Sequence, residues 1–173
     1  MKRLFSLLAL FAALSFTALA QDDDARYAAN LLKKGSEAPA FTVSDLGGTA
    51  HSLADFKGKY VIIDFWATWC PDCRKDIPKM KELWEKYASD RIAFIGMSLD
   101  TSAEALEKYI ADNGIGWLQL SELKKWKKGA KVADDYQVQW IPSIYVIDPE
   151  GRVLLATVMI DKLEALLAEI ATD

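Results

Sequence analysis

The run Tyr60-Val61-Ile62-Ile63-Asp64-Phe65-Trp66 constrains this chain more than any other segment. Its β-branched and aromatic side chains fall on both alternating faces, so it reads as a strand covered on both sides, the centre of an α/β sheet. From Pro71 to Ala88 the period changes, because Ile77, Met80, Leu83, Trp84 and Tyr87 share one face of a helix. Strand gives way to helix at Cys70-Pro71-Asp72-Cys73, which contains the only 2 cysteines of the 173 residues.

At such a junction the first thiol lies beside unpaired backbone N–H groups and the positive end of the helix dipole, both of which favour thiolate. Thiolate is the attacking species in disulfide exchange, so Cys70 is the expected nucleophile. Cys73, one turn inward, is placed to resolve the mixed disulfide. A structural staple is a poorer account, since a bridge across two residues closes almost no loop in the unfolded chain. Asp72 puts a negative charge beside the thiols, which opposes the dipole and tilts the pair toward reducing work. An exposed, screened carboxylate would have little such influence.

Other chemistries find less support. Zinc needs four ligands, but there is no second cysteine pair and His51 is the sole histidine. His51 lies in a predicted hairpin strand without a partner motif and reads as a surface or packing residue. Cu(I) delivery would suit two soft thiolates, yet Met80 and Met97 are scattered and better placed as core. The formal charge of -4 and the lack of a basic stripe argue against a nucleic-acid partner. No cofactor is expected, because no nicotinamide- or flavin-binding pattern is evident.

Around the central junction the chain reads as a single domain over residues 34–173. Residues 1–20 combine a basic start at Lys2 and Arg3, an apolar run and the small-residue end Ala18-Leu19-Ala20, which is the pattern of a cleaved secretory signal peptide. Export to the periplasm as a soluble protein is therefore expected; an uncleaved membrane anchor is the lesser alternative. Residues 21–33 read as a solvated leader, with a short helix over 26–34. Phe41–Val43 and His51–Leu53 flank Asp45-Leu46-Gly47-Gly48 as a β-hairpin.

Arg91–Leu99 repeats the buried-strand pattern and Ser102–Asn113 the helical one, so parallel strands with right-handed crossovers follow. Trp117–Leu120 reads as a short strand or loop and Lys124–Gln137 as a helix. Ser143–Ile147 and Arg152–Val158 flank the turn Asp148-Pro149-Glu150-Gly151 and form an antiparallel hairpin. Asp161 is expected to cap a last helix running to Ile170. The fold class is α/β: a central mixed β-sheet flanked by helices, with an N-terminal β-hairpin and a central αβ insertion.

The string Phe65-Trp66-Ala67-Thr68-Trp69-Cys70-Pro71-Asp72-Cys73 resembles the active-site segment of the thioredoxin superfamily. With the leader Gly35–Phe41 and the added helix Ser102–Asn113, the chain from Lys34 to Ile170 resembles the exported TlpA/ResA-like thiol–disulfide oxidoreductases. The resemblance implies a thioredoxin-like fold and a redox-active disulfide between Cys70 and Cys73. Asp64 matches the buried carboxylate beneath the cysteines, implied to relay the proton of Cys73; desolvation by Phe65 and Trp66 should raise its pKa toward neutrality.

Asp76 stands where many relatives have a Glu and is one methylene shorter. Pro78 matches a helix-kinking proline. Ile141-Pro142 matches the cis-proline segment, where the Ile141 backbone would pair with an extended substrate; Trp69 and Trp140 either line the same groove or belong to the core. Where relatives often have a glycine, this chain has Val158-Met159-Ile160. The implied partners are protein disulfides, with cytochrome c maturation among the settings, and a membrane-embedded thiol electron donor; a monomer is expected. Oxidase or isomerase work on the same fold is an alternative. So is a peroxidase, whose leader is similar, although no Pro-x-x-x-Thr/Ser-x-x-Cys segment is present.

Overall fold

The computed structural model describes residues 23–172. The expected signal peptide lies outside them. Among the described residues, no helix is long and apolar enough to cross a membrane.

The central strand is β3 (Tyr60–Trp66), and everything from Val61 to Trp66 is buried. It follows two short N-terminal strands, β1 (Thr42–Ser44) and β2 (Ala50–Ser52), which pair antiparallel as a hairpin. On one side β3 pairs in parallel with β4 (Ile92–Ser98), which pairs in parallel with β5 (Leu118–Ser121). On the other it pairs antiparallel with β6 (Ser143–Ile147), which pairs antiparallel with β7 (Val153–Thr157). The order β5-β4-β3-β6-β7 is a mixed sheet flanked by helices.

Parallel neighbours require crossovers, and helices supply them. Taking α1 as Asp23–Tyr27, α2 (Pro71–Tyr87) links β3 to β4 and α3 (Ala103–Asn113) links β4 to β5. Cys73, Ile77, Met80 and Leu83 form the buried stripe of α2. Pro78 lies within that helix and leaves the Arg74 carbonyl without its helical donor. Ser102 caps α3 by accepting from the Ala105 N–H at 3.2 Å, and Gly114 ends it at φ 60, a left-handed conformation that suits glycine. A short α4 (Lys131–Asp135) precedes β6, and α5 (Ile160–Ile170) packs beside α2, where Lys79 meets Glu164 at 2.7 Å.

Both sheet edges are covered by the N-terminal segment, which restricts strand addition by other chains. Gly35 N–H donates to the Val153 carbonyl at 2.7 Å and Val153 N–H to the Ser36 carbonyl at 2.9 Å along β7. At the opposite edge, Asp45 bridges to Leu120 of β5.

Four readings of the sequence need correction. The segment 21–33 is not simply solvated: Leu31 is 3% exposed, and Leu32 N–H donates to the Tyr145 hydroxyl at 3.0 Å. Its helix is Asp23–Tyr27 rather than 26–34. Helix within 124–137 is confined to α4, because Leu123, Lys127 and Gln137 are left-handed and the Trp126 indole N–H donates to the Val138 carbonyl. Asp161 lies inside α5 and does not cap it: the cap residue is Met159, whose N–H donates to Thr157 Oγ1 at 3.0 Å.

Candidate active site

The end of β3 presents the cysteines through a fixed turn. Cys70 N–H donates to the Ala67 carbonyl at 3.1 Å. Thr68 is held by Asp100, which accepts from its N–H at 3.0 Å and from its hydroxyl at 2.6 Å. Cys70 is then the N-cap of α2, its sulfur accepting from Cys73 N–H at 3.1 Å, with Pro71 in the first turn. The two cysteines are joined as a disulfide with Cα atoms 5.3 Å apart. Only 4% of Cys70 and 2% of Cys73 are exposed.

Facing the pair is the loop before β6, whose Ile141–Pro142 peptide bond is cis. Cys70 Sγ lies 3.6 Å from the Ile141 carbonyl oxygen. The Ser143 hydroxyl donates to the Trp140 carbonyl at 2.7 Å and tightens this loop. Residues far apart in sequence thus meet at one end of β3.

Three carboxylates lie on β3 and α2, the strand and helix that meet at the disulfide. Asp64 is buried in β3, and its Oδ1 has no hydrogen-bond partner among the described residues. Burial, and secondarily the charge of Asp76, push its pKa up to about 7. Asp76 in α2 is pushed up to about 6, first by burial and then by Asp72 and Asp161, with Lys75 opposing. Asp72 is about half exposed and pairs with Lys75 at 2.8 Å, so its field at the thiols is partly cancelled.

The exposed tryptophans flank the cysteines in separate hollows. Trp140 lines a groove of about 330 Å³ with Pro142, Asp72, Asp76 and Val158. Trp69, 54% exposed, stacks near Trp126 in another hollow with Leu99 and Thr101. Neither is core. A larger hollow of about 490 Å³ lies near Gly35, Phe56 and Pro149 and contains none of the residues expected at the site. His51 stands apart, its Nε2 3.0 Å from Asp45 Oδ2 across the hairpin. No group of three or more His, Cys, Asp or Glu among the described residues is placed to hold a metal.

Sequence reasoning missed Asp100, Asp24 and Tyr27. For Asp100 a signal existed: β3 and β4 are parallel, so the residues just beyond both strands emerge at one end of the sheet. Asp24 and Tyr27 have no such local signal, since their partners lie more than a hundred residues away.

Residues 34–156 match the AhpC/TSA family. The chain is 35% identical over 120 residues to the thiol-disulfide oxidoreductase ResA of Bacillus thuringiensis (strain Al Hakam), covering 69% of this chain. That match spans 66% of the relative, just under two thirds of its length. The thioredoxin-like protein YneN of Bacillus subtilis (strain 168) is 37% identical over 122 residues, covering 70% of this chain and 69% of the relative. The crystal structure of the thioredoxin domain of a thiol-disulfide oxidoreductase from Bacteroides vulgatus superposes with a TM-score of 0.73 at 34% identity, covering 81% of this chain and 99% of that one.

Proposed function

This chain belongs to the AhpC/TSA family, and from that premise we propose that it is a thiol–disulfide oxidoreductase that reduces disulfides of exported proteins. The observation that carries the reading is the Cys70–Cys73 disulfide at the start of α2, with Cys70 Sγ against the Ile141 carbonyl. The family name does not by itself specify peroxide chemistry, and the paired cysteines are suited to dithiol exchange.

In the reduced protein, the Cys70 thiolate attacks one sulfur of a substrate disulfide, and the other substrate sulfur leaves as a thiolate. The substrate is then held on Cys70. Cys73 loses its proton to Asp64 and attacks Cys70, forming the intramolecular disulfide and expelling the second substrate sulfur. Two electrons pass to the substrate. A thiol donor must return them, and a membrane-embedded dithiol is the expected class. Ile141 offers backbone hydrogen-bonding groups to an extended substrate, while Trp69, Pro71, Asp72, Asp76 and Pro142 shape its surroundings. Export is supported by the basic, apolar and small-residue order of residues 1–20.

Incubation of reduced protein with insulin tests the reading. The wild type should cleave insulin disulfides, Cys70→Ser should not, and Cys73→Ser should accumulate a Cys70–insulin mixed disulfide. Capture by Cys70→Ser alone would reverse the assigned roles. A reduction potential nearer about -120 mV than about -270 mV would replace reduction with oxidation as the direction.

A further inference from the structure

The N-terminal helix α1 is too short to hold itself together, so its position must be imposed from outside. The Asp24 carboxylate provides one anchor. It accepts from the Thr157 hydroxyl at 2.8 Å and from Val158 N–H at 2.7 Å, and it pairs with Lys162 at 2.7 Å. The second anchor follows the helix, where Leu31 enters the core and Leu32 N–H meets the Tyr145 hydroxyl. Between them, Tyr27 stacks on Trp140 with ring centroids 4.1 Å apart and planes inclined by 24°.

This aromatic pair stands beside the cysteines. Trp140 immediately precedes Ile141, whose carbonyl contacts Cys70 Sγ, and Tyr27, Trp140 and Pro142 line one groove. A polypeptide joined to Cys70 and running along Ile141 would pass this wall. Aromatic faces offer large apolar contact without demanding a particular sequence. A wall already anchored at both ends also loses little freedom when substrate arrives.

We infer that Tyr27 is a specificity-determining residue, which with Trp140 forms a wall that binds the polypeptide flanking a substrate cysteine and distinguishes protein disulfides from small ones. The inference rests on the disulfide-reductase reading of Cys70 and Cys73. Its substrate class is a disulfide carried on an accessible, extended protein segment. The leader thereby contributes to recognition as well as to the fold.

The test compares insulin with 2-hydroxyethyl disulfide, which carries no polypeptide. Tyr27→Ala should raise KM for insulin by about tenfold, the scale of one lost aromatic contact. Its kcat for insulin and its rate with 2-hydroxyethyl disulfide should stay within about twofold of wild type. Tyr27→Phe, which keeps the ring, should retain the wild-type KM. Asp24→Asn, which slackens the anchor, should move KM in the same direction as Tyr27→Ala. An insulin KM that is unchanged or lower in Tyr27→Ala, or an equal loss with both substrates, overturns the inference. A wild type inactive on both substrates instead refutes the underlying reductase reading.

Discussion

Asp100 holds Thr68 by two hydrogen bonds, one from the backbone N–H at 3.0 Å and one from the hydroxyl at 2.6 Å. It also accepts from the Ser98 hydroxyl at 2.9 Å. At 4% exposure there is little water to replace these bonds. Asp100→Ala strands three donors and should destabilise the protein by about 2–4 kcal/mol in urea denaturation, with Asp100→Asn losing less. Because Thr68 stands just before the cysteines, the alanine variant should also alter the alkylation rate of Cys70 in the reduced protein. Unchanged stability and alkylation would show that the turn is held by other contacts.

Burial of Asp64 predicts a pH-dependent stability with a definite sign. Its folded pKa of about 7 exceeds the ordinary 3.8, so between those values the native state retains a proton that the unfolded chain has released. Its stabilising contribution is present below about pH 4 and is lost as pH rises to about 7, by at most about 4 kcal/mol. Asp64→Asn cannot titrate. Its stability relative to wild type should therefore increase between pH 4 and pH 8, measured by urea denaturation of the oxidised proteins. A constant difference would contradict the account.

The parts of the fold legible in the sequence are those set by short-range periodicity. Tyr60–Trp66 has no open face and Pro71–Tyr87 has one apolar stripe, so β3, α2 and the cysteine junction follow from neighbouring residues. Asp64 shares the burial of its strand for the same reason. Long-range partners decide the rest. Asp24 anchors a leader that its acidic surroundings suggest is solvated, and the left-handed Lys127 interrupts a segment with helical composition. The hairpin strands are short, yet Asp45 ties them to the edge of the main sheet.

Gly96 allows a side chain to cross the sheet. Gln119 on β5 passes over it and accepts from the Trp66 indole N–H on β3 at 2.9 Å. A Cβ at position 96 would lie 2.1 Å from Gln119 Oε1, so Gly96→Ala must displace the amide and strand a buried donor. A loss of about 2–4 kcal/mol is expected. In a double-mutant cycle measured by urea denaturation, Gly96→Ala with Gln119→Ala should cost less than the two single losses together, since both break the same bond. Strict additivity would mean that the crossing amide is not what Gly96 accommodates.

The coupling of Asp64 to Asp76 should be visible in the release of substrate from Cys70. If Asp64 accepts the Cys73 proton, it acts only when ionised, so release should accelerate as pH rises through about 7. Rapid-quench measurements after a pH jump, starting from a Cys70–peptide mixed disulfide accumulated at acidic pH where Cys73 stays protonated, would isolate this step. Asp64→Asn should slow it by about 10²–10⁴-fold near neutrality, the range typical of losing a general base. Asp76 raises the pKa of Asp64 through like charge, so Asp76→Asn should move the midpoint to lower pH while leaving the plateau rate nearly intact. A midpoint that does not move in Asp76→Asn, or persists in Asp64→Asn, would assign the proton to another group.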